Sequence, residues 1–180
     1  MDRGKRAALL AAARTAVLES GAAGFKLEMV LGAAGAGTGT LYHHFPGGKE
    51  ELLREVYEET RVAYEEGLLR VLHRNRDPEA AVKALVHHHV RWFASERQLA
   101  QILLWHRGAE QPGSGRTMQR ALRAWAASAG LPERSPDQLA ALWLGPVLEW
   151  GRLWLGGAAG DVDAAADRLA KAAWNAVSSV

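Results

Sequence analysis

Apolar residues recur three or four positions apart along nearly the whole chain, and no segment alternates apolar and polar residues as a strand would. Glycine, proline and capping residues divide this pattern into about nine segments. Asp77-Pro78 and Ser135-Pro136 each place an N-cap residue before a proline suited to the first helical turn. The sequence therefore predicts an all-α fold of about nine helices, with a kink in the eighth at Gly145-Pro146.

The composition excludes several classes of protein. The 180 residues are 48% hydrophobic and 23% charged, which is an ordinary globular balance, and the formal charge of +2 neither requires nor excludes nucleic acid. The absence of cysteine excludes disulfides, thiolate zinc sites and cysteine nucleophiles. Arg14 interrupts the apolar stretch that follows the basic N-terminus, and no run approaches the roughly 18 apolar residues of a membrane helix. We therefore expect a soluble cytoplasmic protein with no signal peptide.

The most informative stretch is residues 25–53, FKLEMVLGAAGAGTGTLYHHFPGGKEELL, which contains two short helical segments joined by a tight turn. Gly35 in this turn can supply the positive φ that swings one helix across the other. Leu41 and Phe45, four residues apart, form the inward side of the second helix. Its outward residues are short or hydrogen-bonding and none is acidic: Thr38, Gly39, Thr40, Tyr42 and His43.

Two residues of this stretch indicate an approach to a charged polymer. Gly39 inside a helix costs about 1 kcal/mol relative to alanine, which is reasonable if the backbone must lie against a base or a sugar. Lys49 stands at the start of the next helix, where a cation disfavours the helix dipole and where a phosphate would explain it.

The run from Ala34 to Glu50, AGAGTGTLYHHFPGGKE, resembles the helix-turn-helix signature of the tetracycline-repressor (TetR) family. The resemblance implies that Thr38, Gly39, Thr40 and His43 approach DNA bases, and that Tyr42, His44 and Lys49 contact backbone phosphates. The chain departs from the family pattern at three places: Lys26 and Gly37 stand where capping residues are usual, and Val30-Leu31 replaces a common Ile-Ala pair. Each weak cap costs about 1 kcal/mol.

The same resemblance implies an organisation for the whole chain. Residues 1–48 would form a three-helix DNA-binding domain, and residues 49–180 a helical ligand-binding and dimerisation domain. Helices four to seven would enclose an effector pocket, and the last two helices would pair across a homodimer. We therefore expect a transcriptional regulator, with repression at a near-palindromic double-stranded DNA operator relieved by a small apolar or aromatic molecule.

Tryptophan placement supports an effector site independently of the resemblance. Six of the seven tryptophans lie between Trp92 and Trp154, and they could line a cavity for a flat or cationic molecule or serve as core and dimer contacts. His89 and Glu149 are polar residues on apolar helix faces, so they need partners, either each other's neighbours or a ligand. The predicted effector-binding residues are His89, Trp92, Phe93, Trp105, Trp125, Trp143 and Glu149.

The last helix has a stripe of small residues that permits close helix packing. With apolar residues of the helix before it, this stripe predicts a four-helix dimer interface. The residues concerned are Ala165, Ala166, Ala170, Ala173 and Ala176, with Leu142, Leu153, Leu169 and Val177.

Other functions have weaker support in the sequence. The glycines of GAAGAGTGT have no preceding strand, which a dinucleotide-binding loop requires. His87, His88 and His89 point about 100° apart on a helix, so they cannot chelate one metal ion together. No GxSxG or HExxH motif is present. We therefore expect no catalytic residues, metal or cofactor, and the alternative is an all-helical small-molecule-binding protein or enzyme that does not bind DNA.

Overall fold

The computed structural model describes residues 2–105 and 116–179, and these residues form helices and no strand, as the apolar spacing predicts. The first seven helices are α1 Asp2–Gly24, α2 Leu27–Ala34, α3 Thr38–His44, α4 Gly48–Arg74, α5 Pro78–Ser95, α6 Arg97–Trp105 and α7 Arg116–Ser128. The eighth, α8, runs through three consecutive segments: Pro136–Leu139, the π-helical Ala140–Leu144, and Gly145–Leu155. The ninth, α9, is Val162–Ser178. The predicted all-α class is confirmed.

Local capping signals set the helix starts where the sequence predicts them. Asp77 and Asp161 each accept a hydrogen bond from the backbone N–H three residues further on. Ser135 and Gln138 form a reciprocal capping box at the start of α8. Helix α1 runs to Gly24, but its backbone breaks at Gly21, where φ is +68°.

The first three helices share one hydrophobic core with parts of α4 and α6, which we call the headpiece core. Its fully buried members are Leu9, Ala13, Val17, Val30, Leu41, Phe45, Leu52, Val56 and Ile102. Because Leu52 and Val56 lie in α4, the packing of the headpiece continues past residue 48, the predicted domain boundary.

A second core, the regulatory core, joins the other end of α4 to α5, α7, α8 and α9. Its buried members include Leu68, Leu72, Val82, Leu85, Val86, Met118, Leu122, Trp143, Val147, Ala166, Ala170, Ala173 and Val177. Because α4 contributes buried residues to both cores, it connects the headpiece to the rest of the chain, together with α6, which packs on α1, α5 and α8.

The small-residue stripe of α9 packs inside the chain. Ala165, Ala166, Ala170 and Ala173 are at most 6% exposed, and α9 lies along α5. The prediction that these four alanines form the dimer interface is therefore wrong. Small side chains allow two helices to approach closely, but a stripe of them does not identify the partner helix, and here the partner is α5 of the same chain.

The predicted kink at Gly145-Pro146 takes the form of a π-helical segment. The Gly145 N–H donates to the Ala140 carbonyl, five residues back, and Pro146 has no N–H to continue an α-helical ladder. Four buried residues of α8 are spaced four apart: Leu139, Trp143, Val147 and Gly151. An α-helix turns about 100° per residue, so a four-residue spacing drifts around it by about 40° per step, and the wider π turn offsets that drift.

Candidate nucleic-acid interface and regulatory core

The turn between α2 and α3 has the geometry that its glycine predicts. Gly35 adopts the left-handed conformation, with φ of +54° and ψ of 45°, and the Ala36 N–H donates to the Leu31 carbonyl over 3.1 Å. Neither Lys26 before α2 nor Gly37 before α3 caps its helix through a side chain, in agreement with the departures noted in the sequence. The two helices are therefore held mainly by the packing beneath them.

Helix α3 has a buried side and an exposed side. Leu41 and Phe45 are completely buried in the headpiece core. Of the residues predicted to meet bases, Thr38, Gly39 and His43 are exposed and Thr40 is half-buried. A Cβ built at Gly39 would meet no atom within 4 Å, so the backbone there is open to an approaching surface. The structure thus presents the predicted reading residues on one outward face, and their contact with DNA stays a prediction.

Tyr42 joins the exposed side of α3 to the start of α4. Its side chain is 48% exposed, and its ring lies 3.1 Å from the position that a Cβ at Gly48 would occupy. Gly48 also has a φ of +57°, so both its conformation and the close ring favour glycine. His44, half-buried beside His43 with the two ring centroids 5.0 Å apart, completes this edge of the helix.

Lys49 has a partner within the chain, which the sequence did not reveal. Its ammonium group donates to the Phe25 carbonyl over 2.7 Å, and Glu51 accepts the Gly47 N–H at the start of α4. The helix dipole is therefore complemented by Glu51, and the cation by a carbonyl at the end of α1. A phosphate is not needed to explain a lysine here, and the phosphate contact of Lys49 stays a prediction.

The charge of the chain is unevenly distributed. Residues 1–49 contain six Lys and Arg against three Asp and Glu, whereas residues 50–180 contain 16 against 17. Arg3, Lys5, Arg14 and Lys26 are exposed. Cations gathered in one domain attract a polyanion and speed its association. The net charge of +2 for the whole chain hides this asymmetry, which appears only when the N-terminal residues are counted by themselves.

Three predicted effector residues lie in one aromatic cluster with Tyr64 of α4. His89 is 1% exposed, its Nε2 is hydrogen-bonded to the Tyr64 hydroxyl, and its ring stacks on Phe93 with centroids 5.0 Å apart. The Trp92 ring lies 4.7 Å from that of Tyr64. Sequence analysis missed Tyr64 as a site residue, although its place on the apolar face of α4 was a usable signal.

Two further predicted residues form a second aromatic pair. The rings of Trp125 in α7 and Trp143 in α8 lie 5.4 Å apart, tilted by 45°. Trp143 is completely buried, and its Nε1–H finds no acceptor among the described residues. Trp105 ends α6, and its side chain lies outside the described residues.

Glu149 does not lie in an apolar interior. Its side chain is 57% exposed and accepts two hydrogen bonds from Arg152, at 2.9 and 2.6 Å. The hydrogen bond from Arg152 lowers the pKa of the Glu149 carboxyl. The expectation of a buried acidic anchor is corrected, because an arginine three residues along the helix is the partner that this glutamate needs.

The three consecutive histidines point to different neighbours. His87 faces Asp167 of α9 at 3.3 Å, and His89 faces Tyr64. His88 lies against Gly67 of α4, and burial, with a smaller effect of Arg70, lowers the pKa of the His88 imidazole. Among the described residues no group of three or more metal-ligating side chains could hold a metal ion. No helix in the described part of the chain is long and apolar enough to cross a membrane.

An all-helical chain with an exposed reading helix, a basic N-terminal domain and a separate aromatic core has the architecture of a helix-turn-helix regulator. Residues 9–56 match the family described as bacterial regulatory proteins, tetR family. The helix-turn-helix region of the chain therefore matches this family, as its motif predicts. No curated protein matches the chain by sequence.

Solved structures show how much of the fold is shared. A TetR-family transcriptional regulator from Pectobacterium atrosepticum is 24% identical with a TM-score of 0.76, covering 95% of this chain and 91% of that one. RolR in complex with resorcinol is 22% identical with a TM-score of 0.71, covering 99% and 90%. AibR in complex with isovaleryl coenzyme A and operator DNA is 19% identical with a TM-score of 0.65, covering 92% and 96%. The fold is thus shared from end to end.

Proposed function

We propose that this chain is a transcriptional repressor that binds its operator as a homodimer and is released by a small, mainly apolar molecule. The observation that carries the proposal is the double role of α4. Leu52 and Val56 of this helix lie in the headpiece core, and Leu68 and Leu72 lie in the regulatory core. A change in the packing of the regulatory core therefore moves a helix on which the DNA-binding face rests.

The proposed DNA contacts divide into two kinds. Thr38, Gly39, Thr40 and His43, on the outward face of α3, would read base edges in the major groove. Tyr42, His44 and Lys49, at the edge where α3 meets α4, would contact phosphates and fix the position of the helix. Two such headpieces would occupy successive major grooves about 34–36 Å apart. AibR, which has the same fold, is known in complex with operator DNA.

The proposed dimer uses the last two helices, with α8 supplying apolar contacts. Leu142 and Leu153 of α8 are 37% and 48% exposed in the single chain, whereas the alanine stripe of α9 is occupied by α5. Exposed leucines on one helix of a chain favour burial against a second copy. A two-fold interface would also place two reading helices on a near-palindromic site.

The proposed effector site lies between the aromatic cluster of His89, Trp92 and Phe93 and the pair formed by Trp125 and Trp143. The cluster lies on α5 and the pair includes Trp125 of α7, two helices that pack on α4, and the rings suit a planar molecule. RolR, of the same fold, is known with resorcinol, a small planar aromatic compound. An effector relieves repression only if it binds the DNA-free conformation more tightly than the DNA-bound one.

The experiment that tests the proposal is a gel shift with the promoter region next to the gene that encodes the chain. We expect a salt-sensitive, sequence-specific shift that planar aromatic compounds reverse. If unlabelled DNA of unrelated sequence competes for the protein as well as the promoter fragment does, operator recognition is contradicted. Binding of aromatic compounds without any DNA shift would favour the alternative, an all-helical small-molecule-binding protein or enzyme that does not bind DNA.

A further inference from the structure

One buried donor in the regulatory core has no acceptor among the described residues. Trp143 is completely buried, and its indole Nε1–H makes no hydrogen bond there. Buried polar groups are almost always hydrogen-bonded. Thr60, another buried polar residue of the described chain, does follow it, since its hydroxyl donates to the Val56 carbonyl. The indole N–H of Trp143 is therefore a buried donor whose acceptor has to be accounted for.

The backbone around Trp143 is also unusual. The residue lies in the π-helical segment Ala140–Leu144, which holds it on the inward face of α8 in line with Leu139 and Val147. π-helical segments inside α-helices are frequent at functional sites because they cost stability that selection must offset. The buried donor without an acceptor and the π-helical backbone thus coincide at Trp143.

The surroundings restrict what could accept this hydrogen bond. The hydrophobic residues buried in the regulatory core are alanine, valine, leucine, methionine and tryptophan, and His89, the buried ionisable residue of the proposed effector site, is paired with Tyr64. A charged ligand there would lose its hydration without gaining an ionic partner. The Trp125 ring, tilted at 5.4 Å from Trp143, is half-buried, so the pair extends from the core to the surface of α7.

We propose that the Trp143 indole N–H donates a hydrogen bond to an oxygen of the effector, and that the effector is an uncharged aromatic carbonyl compound lying against Trp125. The proposal rests on the effector site of the proposed function and names its ligand class. It replaces the cationic effector that a buried Glu149 would have favoured, since Glu149 lies at the surface and is paired with Arg152.

Three matched probes of similar size test the proposal: acetophenone, ethylbenzene and benzoate. The first carries a neutral acceptor, the second has none, and the third carries a charged one. The readout is the NMR resonance of the Trp143 indole N–H in the whole chain, assigned by through-bond experiments. We expect acetophenone to move this resonance downfield and ethylbenzene to cause no such downfield change. Benzoate should bind at least tenfold more weakly than acetophenone.

Trp143→Phe keeps a ring and removes the donor. It should weaken acetophenone binding about tenfold, the scale of one net hydrogen bond, and leave ethylbenzene binding unchanged. Trp150→Phe, a matched change elsewhere in α8, should leave both affinities unchanged. If Trp143→Phe does not fold, the probe comparison on the unaltered protein decides alone.

Several outcomes would overturn the inference: no shift of the Trp143 resonance with saturating acetophenone, the same shift with ethylbenzene, or tighter binding of benzoate. DNA binding in the operator gel shift is measured without any of the three aromatic compounds. A failure to bind DNA is therefore detected separately from a failure of Trp143 to donate the hydrogen bond. If the protein binds no operator but shows the acetophenone shift, the proposed Trp143 site stands and the proposed repressor function is contradicted.

Discussion

The Lys49 ammonium donates a hydrogen bond to the Phe25 carbonyl over 2.7 Å, and so ties the start of α4 to the end of α1 across 24 positions. The same ammonium lies 5.7 Å from the centre of the Phe25 ring. An ammonium group has three protons, so one bond to a carbonyl leaves donors for a phosphate. Lys49 can therefore position the helix in the free protein and contact the DNA backbone in the complex.

Lys49→Ala should weaken specific and non-specific DNA binding alike and lower the salt slope of binding by about one unit, because a phosphate contact carries no base code. The lost bond to Phe25 should also lower the free energy of unfolding by about 1 kcal/mol. Binding measured against salt concentration, together with thermal melting, tests both effects. Lys171→Ala, an exposed lysine of α9, is the control. A changed sequence preference would contradict the positioning role.

Gly39→Leu should abolish operator binding and leave the headpiece folded. A side chain at Gly39 meets no atom within 4 Å in the free chain, and leucine is a better helix former than glycine. A leucine on the outward face would, however, keep the backbone away from the base edges. Gly160→Leu, at another open glycine, should bind DNA normally. Normal binding by Gly39→Leu in a gel shift would mean that α3 does not enter the groove as proposed.

Much of the fold was predictable because its signals are local. The caps at Asp77 and Ser135 and the left-handed turn at Gly35 depend on residues a few positions apart, and the sequence predicts each of them. The outward face of α3 followed from the spacing of its two buried residues.

The errors concern partners that the local pattern does not determine. Lys49 bonds to a carbonyl 24 residues away, and the alanine stripe of α9 meets α5 and not a second chain. The partner of Glu149, by contrast, is determined by the local pattern. Arg152 lies three residues further along the same helix, so the sequence was sufficient to predict this pair. The π-helical form of the kink depends on the packing of Trp143 and could not be read from Pro146 alone.

Leu153→Glu and Ala173→Glu should have different effects on the proposed dimer. Leu153 is 48% exposed on α8, so the glutamate should split the dimer without unfolding the chain, and operator binding should fall with it. Ala173 is 3% exposed between α9 and α5, so a buried charge there should unfold the protein. Sedimentation and circular dichroism distinguish the two results. A dimeric, folded Leu153→Glu protein would place the interface elsewhere.

Gly151→Ala should destabilise the fold by about 1–3 kcal/mol through overpacking. An added Cβ at Gly151 would lie 3.1 Å from atoms of the Phe93 ring, where α8 packs on α5. Gly145→Ala is the matched control, since its Cβ would meet only the Ala140 carbonyl at 3.7 Å, an ordinary contact. Thermal melting should therefore show a clear loss for Gly151→Ala and little or none for Gly145→Ala. Equal effects of the two changes would indicate a general cost of replacing glycine in α8.

His88 should make the stability of the protein fall as the solution becomes acidic. Burial, and to a lesser degree Arg70, lowers the pKa of the His88 imidazole below its ordinary value. The unfolded chain therefore takes up this proton at a higher pH than the native chain does. Above the unfolded pKa neither state is protonated and stability is unaffected. As pH falls through that value the unfolded state gains a proton that the native state resists, and stability is lost.

His88→Gln removes this titration and keeps a polar side chain of similar length against Gly67. The free energy of unfolding, measured by denaturant at about pH 7 and about pH 5, on either side of the ordinary histidine pKa, should fall less in this variant than in the unaltered protein. His73→Gln, an exposed histidine of α4, should keep the dependence of the parent. If His88→Gln and the parent lose the same stability over this interval, the acid sensitivity arises elsewhere, and His88 is already as easily protonated in the folded protein as in the unfolded chain.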